Sequence, residues 1–109
     1  MSAIFKILYF FLMLPLIFKI YTMSVTELFE KAVLESKSLP QKPSNEILLQ
    51  LYSLYKQSTE GDVNIDPPSN PFDFVSKAKY DAWIALRGKS SEHAMEEYIG
   101  LVNKLKGQG

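Results

Sequence analysis

The sequence predicts an all-α fold, a small bundle of four helices preceded by a short apolar N-terminal segment. Three observations carry this expectation. Four segments open on a side chain suited to capping a helix and then repeat apolar residues at helical spacing. No segment alternates apolar and polar residues as a half-buried strand does. The chain contains no cysteine, so no disulfide, thiol nucleophile or cysteine metal site is available, and a small domain must be held by packed elements alone.

Composition divides the chain at Met23. Residues 1–22 are apolar and nearly free of polar side chains, and residues 23–109 read as one soluble domain. Such a domain of roughly 85 residues supports one modest core. Within the N-terminal segment, Ile7 to Phe18 form an unbroken apolar run flanked by Lys6 and Lys19. The run is short against the roughly 20 residues of a bilayer span, and Pro15 is expected to interrupt a helix there. Its cationic start and short apolar core match a secretory signal, but Lys19-Ile20-Tyr21-Thr22 offers no small-residue cleavage site. Three readings stay open: a signal peptide or signal anchor, a marginal membrane anchor, or an over-extended reading frame with Met23 as the true start.

The first helix of the domain is announced by Ser24-Val25-Thr26-Glu27, the S-x-x-E spacing of a capping box. Val25, Leu28, Phe29, Ala32 and Val33 follow at helical spacing, and Leu39-Pro40 is expected to end the helix. Ser44 caps the second, with Glu46 near its positive end and Ile47, Leu51 and Leu54 as one apolar stripe. Gly61 is placed to end it in a left-handed cap. Asp62 to Pro71 contain three prolines, two asparagines and two aspartates and must form a loop. Asp73 caps the third helix, whose inner face is expected to carry Val75, Ala78, Ala82 and Ala85 or Leu86, with Trp83 as a core anchor and Gly88 as the stop. Ser90 or Ser91 opens the fourth, where Met95, Tyr98, Ile99, Val102 and Leu105 share a face and Lys104 and Lys106 suit the negative end.

The chemistry is narrowed mainly by what is missing. Basic and acidic residues balance at 12 each, and without Lys6 and Lys19 the domain is slightly acidic. This argues against a general nucleic-acid surface but allows a single phosphate held by a few local lysines. His93 is the sole histidine, so neither a histidine metal site nor a histidine-based triad is available. No carboxylate pair, glycine-rich phosphate loop or nucleophile motif stands out. The second helix is the informative one, because Leu48, Tyr52, Tyr55 and Lys56 form another face beside its apolar stripe. A helix apolar over so wide an arc needs two partners, the core and either another helix or a ligand. Tyr52-x-x-Tyr55-Lys56 offers two aromatic faces, two hydroxyls and one ammonium, the parts that hold a nucleotide phosphate. Alone it equally describes two border tyrosines with wet hydroxyls. Lys77 and Lys79 alone read as a solvated pair, and Tyr98 as a core residue.

Taken in order, the blocks from Leu51 to Asp62, Lys77 to Trp83, Leu86 to Ser90 and Ala94 to Ile99 resemble the acyl-CoA-binding protein family, over nearly the whole span from Val25 to Lys106. The resemblance implies four helices in an up-down-down-up arrangement and a non-catalytic carrier of medium- to long-chain fatty acyl-CoA esters that forms an intracellular pool. It assigns Tyr52, Lys56 and Lys79 to the ribose 3′-phosphate and Tyr55 and Tyr98 to the adenine and ribose. Lys37 is assigned to the coenzyme A site, and Phe29, Ala32, Leu48 and Leu49 to the acyl channel. It implies no cofactor and no metal, and as partners acyl-CoA, the enzymes that use it and, transiently, membranes. The expected protein is a cytoplasmic monomer, or a membrane-tethered or secretory-pathway one if residues 1–22 are a real anchor or signal. The alternative is a helical protein-interaction module that keeps the fold without the ligand. Two departures stand out: Tyr80, where many relatives carry tryptophan, and Pro67 to Pro71, about one residue longer than the usual loop.

Overall fold

The computed structural model describes residues 2–107, with side chains described for 3–15 and 23–107. Its elements are α1 (Ser2–Thr22), α2 (Val25–Ser36), α3 (Asn45–Glu60), α4 (Phe74–Ile84) and α5 (Ser91–Lys106). Helices α2 to α5 form the expected four-helix bundle. Helix α1 packs against none of them among the described residues. It continues through Pro15, correcting the expected interruption: proline removes one backbone donor, and this helix absorbs the loss. The apolar side chains from Ile4 to Leu12, and Leu14, are exposed. No helix among the described residues is long and apolar enough to cross a membrane. The side chains of Lys19 to Thr22 lie outside the described residues.

Each helix of the bundle begins where a short polar side chain satisfies an orphan backbone donor. Ser24, Ser44, Asp73 and Ser90 accept from the N–H groups of Glu27, Ile47, Ser76 and His93. The two hydroxyl and backbone donors of Ser76 hold the Asp73 carboxyl below its ordinary range. Helix α2 stops at Ser36, ahead of the expected Leu39-Pro40. There the N–H groups of Lys37 and Ser38 close onto the carbonyls of Leu34 and Glu35, and Ser36 Oγ donates to Val33 O at 2.6 Å.

Contacts at the helix ends give the directions. Thr26 Oγ1 meets Met95 Sδ near the two N-termini, and Lys106 pairs with Glu35 near the two C-termini, so α2 and α5 run parallel. Helix α3 is antiparallel to α5, since Ser91 at the start of α5 donates to Gln57 O near the end of α3. Helices α3 and α4 are parallel, because Trp83 near the end of α4 donates to Gly61 O at 2.9 Å, just past α3. The order is up, down, down, up. Two parallel neighbours cannot be joined by a tight turn, and this is why the proline-rich loop from Asp62 to Asp73 is long: it must return along the length of α4, about 16 Å.

The core joins Phe29 and Ala32 of α2, Leu51 and Leu54 of α3, and Ala94, Tyr98, Val102 and Leu105 of α5. Helix α4 departs from expectation. Val75 and Ala85 are exposed, and Trp83, 0% exposed, is the only buried residue on the helix. Trp83 is the anchor expected of it, while Ala78 and Ala82 are only half-buried.

The C-terminal ends of α3 and α4 are tied by a polar knot. Both amide hydrogens of buried Gln57 are used, one on Asp62 Oδ1 at 2.9 Å and one on Lys89 O at 2.7 Å. Asp62 Oδ1 also accepts from the Gly88 N–H at 2.8 Å. Gly88 adopts φ +90° and Gly61 φ +77°, values an L side chain rarely takes. Gly61 has ψ −149°, outside the left-handed helical cap expected of it, and in this conformation its carbonyl accepts the indole N–H.

The Gly88 N–H, and next the Gln57 amide, hold the Asp62 carboxyl below its ordinary range. The folded state therefore favours the carboxylate, whose contribution is complete above the unfolded value and is lost as pH falls through the lower folded value. The melting temperature should fall as pH drops below about 4, and Asp62→Ala should have a lower melting temperature at neutral pH and a shallower acid decline. An identical acid decline in both proteins would contradict this role. Trp83→Ala should cost about 3–5 kcal/mol in urea unfolding.

Candidate functional site

Helix α3 presents the expected second face: Leu48 and Tyr55 are exposed, Tyr52 and Lys56 half-buried. Two hollows adjoin along it. One, of about 320 Å³, is walled by Lys37 and Val33 of the α2 end, Leu48, Tyr52 and Tyr55 of α3, and Tyr98 of α5. The other, of about 420 Å³, lies between α3 and α4 and is walled by Leu48, Leu49 and Tyr52 on one side and Phe74, Val75, Ala78 and Lys79 on the other. Leu48 and Tyr52 belong to both. The pair of hollows is thus one surface, with aromatic and cationic groups on the α2 side and a mostly apolar cleft on the α4 side.

The cations are held over rings. Lys79 Nζ lies 5.3 Å from the Tyr52 ring centre, and Lys56 Nζ 5.1 Å from that of Trp83, distances at which the negative face of a ring attracts an ammonium. Lys56 also pairs with Glu60 one turn on, and this hydrogen bond raises the Lys56 pKa and keeps it charged. Phosphate binding by Lys56 would compete with Glu60. Tyr55 stacks on Phe29 at 6.0 Å, and Phe29 meets Tyr98 edge-on at 5.1 Å, so one exposed aromatic is backed by two buried ones.

Of the expected residues, Lys37, Tyr52, Tyr55 and Tyr98 meet at the first hollow, and Lys79, Leu48 and Leu49 line the second with Tyr52. Lys56 is among the wall residues of neither. Tyr98 is 4% exposed, with its ring in the core and its hydroxyl donating to Ser36 Oγ at 3.1 Å. Its reading as a core residue therefore holds, and it also lines the first hollow. Phe29 is buried and faces a third hollow, bordered by Val33, Tyr55 and Met95. Ala32, 2% exposed, lies in the core away from all three hollows. Sequence reasoning missed Phe74 as a wall of the cleft. Its spacing of four from Ala78 was the available signal, masked by treating α4 as a helix with a single inner face.

A family model described as acyl CoA binding protein matches residues 26–102. The chain belongs to the acyl-CoA-binding protein family. It is similar to an acyl-CoA-binding protein of Ricinus communis, 45% identical over 79% of this chain and 94% of that one. The crystal structure of Oryza sativa acyl-CoA-binding protein 2 superposes with a TM-score of 0.73 at 42% identity, covering 78% of this chain and 93% of that one. Similarity also extends to enoyl-CoA delta isomerase 2 of Rattus norvegicus, 48% identical over 71% of this chain but only 19% of that longer protein. The family model spans α2 to most of α5, the bundle that holds both hollows.

Tyr98→Phe should remove the bond to Ser36 and keep the ring packing. It is expected to cost about 1 kcal/mol in urea unfolding. A loss of more than about 3 kcal/mol would mean that the hydroxyl holds the core together.

Proposed function

We propose that this protein binds medium- to long-chain fatty acyl-CoA esters without transforming them and carries them as an intracellular pool. The observation that carries the reading is the adjacency of the two hollows across Leu48 and Tyr52. An acyl-CoA needs both kinds of surface side by side, because a charged, aromatic nucleotide is joined to a chain that water solvates poorly. The cleft between α3 and α4 takes the acyl chain. The hollow beside α2 takes the nucleotide, with Tyr55 and the Tyr98 edge against the adenine and ribose and Lys37 near the phosphates. Lys79 and Tyr52, at the junction, and Lys56 take the 3′-phosphate, where charge-assisted bonds supply specificity. Phe29 acts by backing Tyr55, and Ala32 by packing the core.

Burial of the chain supplies much of the affinity. At about 0.8 kcal/mol per methylene, a sixteen-carbon chain has a ceiling of roughly 12 kcal/mol, and lost freedom of the ligand offsets several kcal/mol of it. A long-chain ester should therefore bind far more tightly than free coenzyme A. The same proposal takes residues 23–109 as the binding unit, leaves residues 1–22 outside it, and makes the protein a cytoplasmic monomer without a cofactor. It would hand its ligand to acyl-CoA-using enzymes or, transiently, to membranes.

Calorimetric titration with palmitoyl-CoA, palmitate and coenzyme A tests this. Tight, near-stoichiometric binding of the ester with much weaker binding of its two halves is expected. A folded protein that ignores palmitoyl-CoA would overturn the reading. Lys56→Ala should weaken coenzyme A and palmitoyl-CoA by similar factors, and losses that differ by more than about tenfold would contradict a head-group role for this lysine.

A further inference from the structure

The apolar cleft is shorter than the chain assigned to it. Helices α3 and α4 run parallel, so the wall residues fall in order: Tyr52, Ala78 and Lys79 at one end, Asn45, Phe74 and Val75 at the other. From Tyr52 to Asn45 the helix rises about 10 Å. An extended alkyl chain advances about 1.2 Å per carbon, by the bond lengths that give an extended backbone about 3.6 Å per three bonds. The cleft therefore holds about eight carbons of an extended chain. Beyond that lies an unusual surface for so small a domain. Phe74 is 72% exposed, Val75 65%, and Phe72, just before the Asp73 cap, 80%. Three large apolar side chains within four residues are left in water, where scattered single ones would be ordinary. Two of them, Phe74 and Val75, are walls of the cleft at this end.

We propose that Phe72, Phe74 and Val75 form a distal shelf that covers the acyl chain beyond about its eighth carbon, and so set the preference for long chains over medium ones. The inference rests on the carrier reading and adds to it a determinant of chain length. The occupant follows from continuity: Phe74 and Val75 are the last walls of the cleft and the first residues of the shelf, and the terminal half of a long acyl chain is what would emerge there. The shelf carries no cation. Lys77, the nearest lysine in sequence, pairs with Asp81 at 2.9 Å one turn on. A head group therefore gains nothing there, and an alkyl chain covers apolar surface.

The test compares palmitoyl-CoA with octanoyl-CoA by calorimetry on the wild-type chain and on Phe74→Ser and Val75→Lys, with circular dichroism to check that both variants keep their helices. These side chains are exposed, so the fold should persist. The wild type should prefer palmitoyl-CoA strongly, and each variant should lower the palmitoyl-to-octanoyl affinity ratio by about tenfold. Folded variants that keep the wild-type ratio, whether they lose nothing or weaken both esters equally, would overturn the shelf while leaving the carrier reading intact. A wild type that binds neither ester would overturn the carrier reading and the shelf with it.

Discussion

The side-chain amide of Gln57 is the point from which the rest of the bundle is arranged. It is fully buried, and its two hydrogens reach the loop at Asp62 and the start of α5 at Lys89. Asp62 reaches on to Gly88, and Trp83 closes the circuit on Gly61. Four chain segments thus meet at one end of the bundle, through part-buried bonds from Gln57 and Trp83 and an exposed one from Gly88 to Asp62. The part-buried ones lie where an amide hydrogen bond is worth more than in water. The tie is not without cost, since Gln57 Oε1 is buried with no partner among the described residues. The consequence is geometric. Helices α3 and α4 are clamped parallel at their C-terminal ends, and the cleft lies between them toward their N-terminal ends.

Helix α3 carries three duties on its circumference. Leu51 and Leu54 face the core, Gln57 the knot, and Leu48, Tyr52 and Tyr55 the hollows. This division explains how so small a domain can keep a large open surface and still have a core. It also explains why the cations near the site are placed before any ligand arrives. Lys79 rests on the ring of Tyr52 and Lys56 on the ring of Trp83, so less side-chain freedom is left to lose on binding. Trp83 links the knot to the site directly, since the ring whose N–H closes the circuit also supports Lys56.

Much of this was legible from residues whose effect is local. Ser24, Ser44, Asp73 and Ser90 cap helices through atoms within three residues of themselves, and each marks its helix in the sequence as it does in the fold. The face of α3 bearing Tyr52, Tyr55 and Lys56 was legible for the same reason. Burial of polar groups was not: Ser53, Gln57 and Ser58 are all buried, and nothing in their type or spacing distinguishes them from solvated neighbours. Helix α4 was legible in part: Trp83 is the anchor its large ring suggested, but the inner face drawn from valine and alanines includes Val75 and Ala85, which are exposed. The order of helix directions depends on long-range ties such as Gln57 to Lys89, which periodicity does not encode; resemblance supplied it. Pro15 shows the converse, a strong local rule that the chain in α1 overrides.

The account rests on one claim above the others, that head group and acyl chain occupy two adjoining hollows that meet at Tyr52. The most direct measurement is a comparison of backbone amide shifts by nuclear magnetic resonance as coenzyme A and then palmitoyl-CoA are added. Coenzyme A alone should move residues around Lys37, Tyr52, Tyr55, Lys56 and Lys79, and palmitoyl-CoA should add Leu48, Leu49, Phe74 and Ala78. If the acyl chain instead adds residues around Thr26, Phe29 and Met95, the cleft between α3 and α4 is not the acyl site and the account is wrong at its centre.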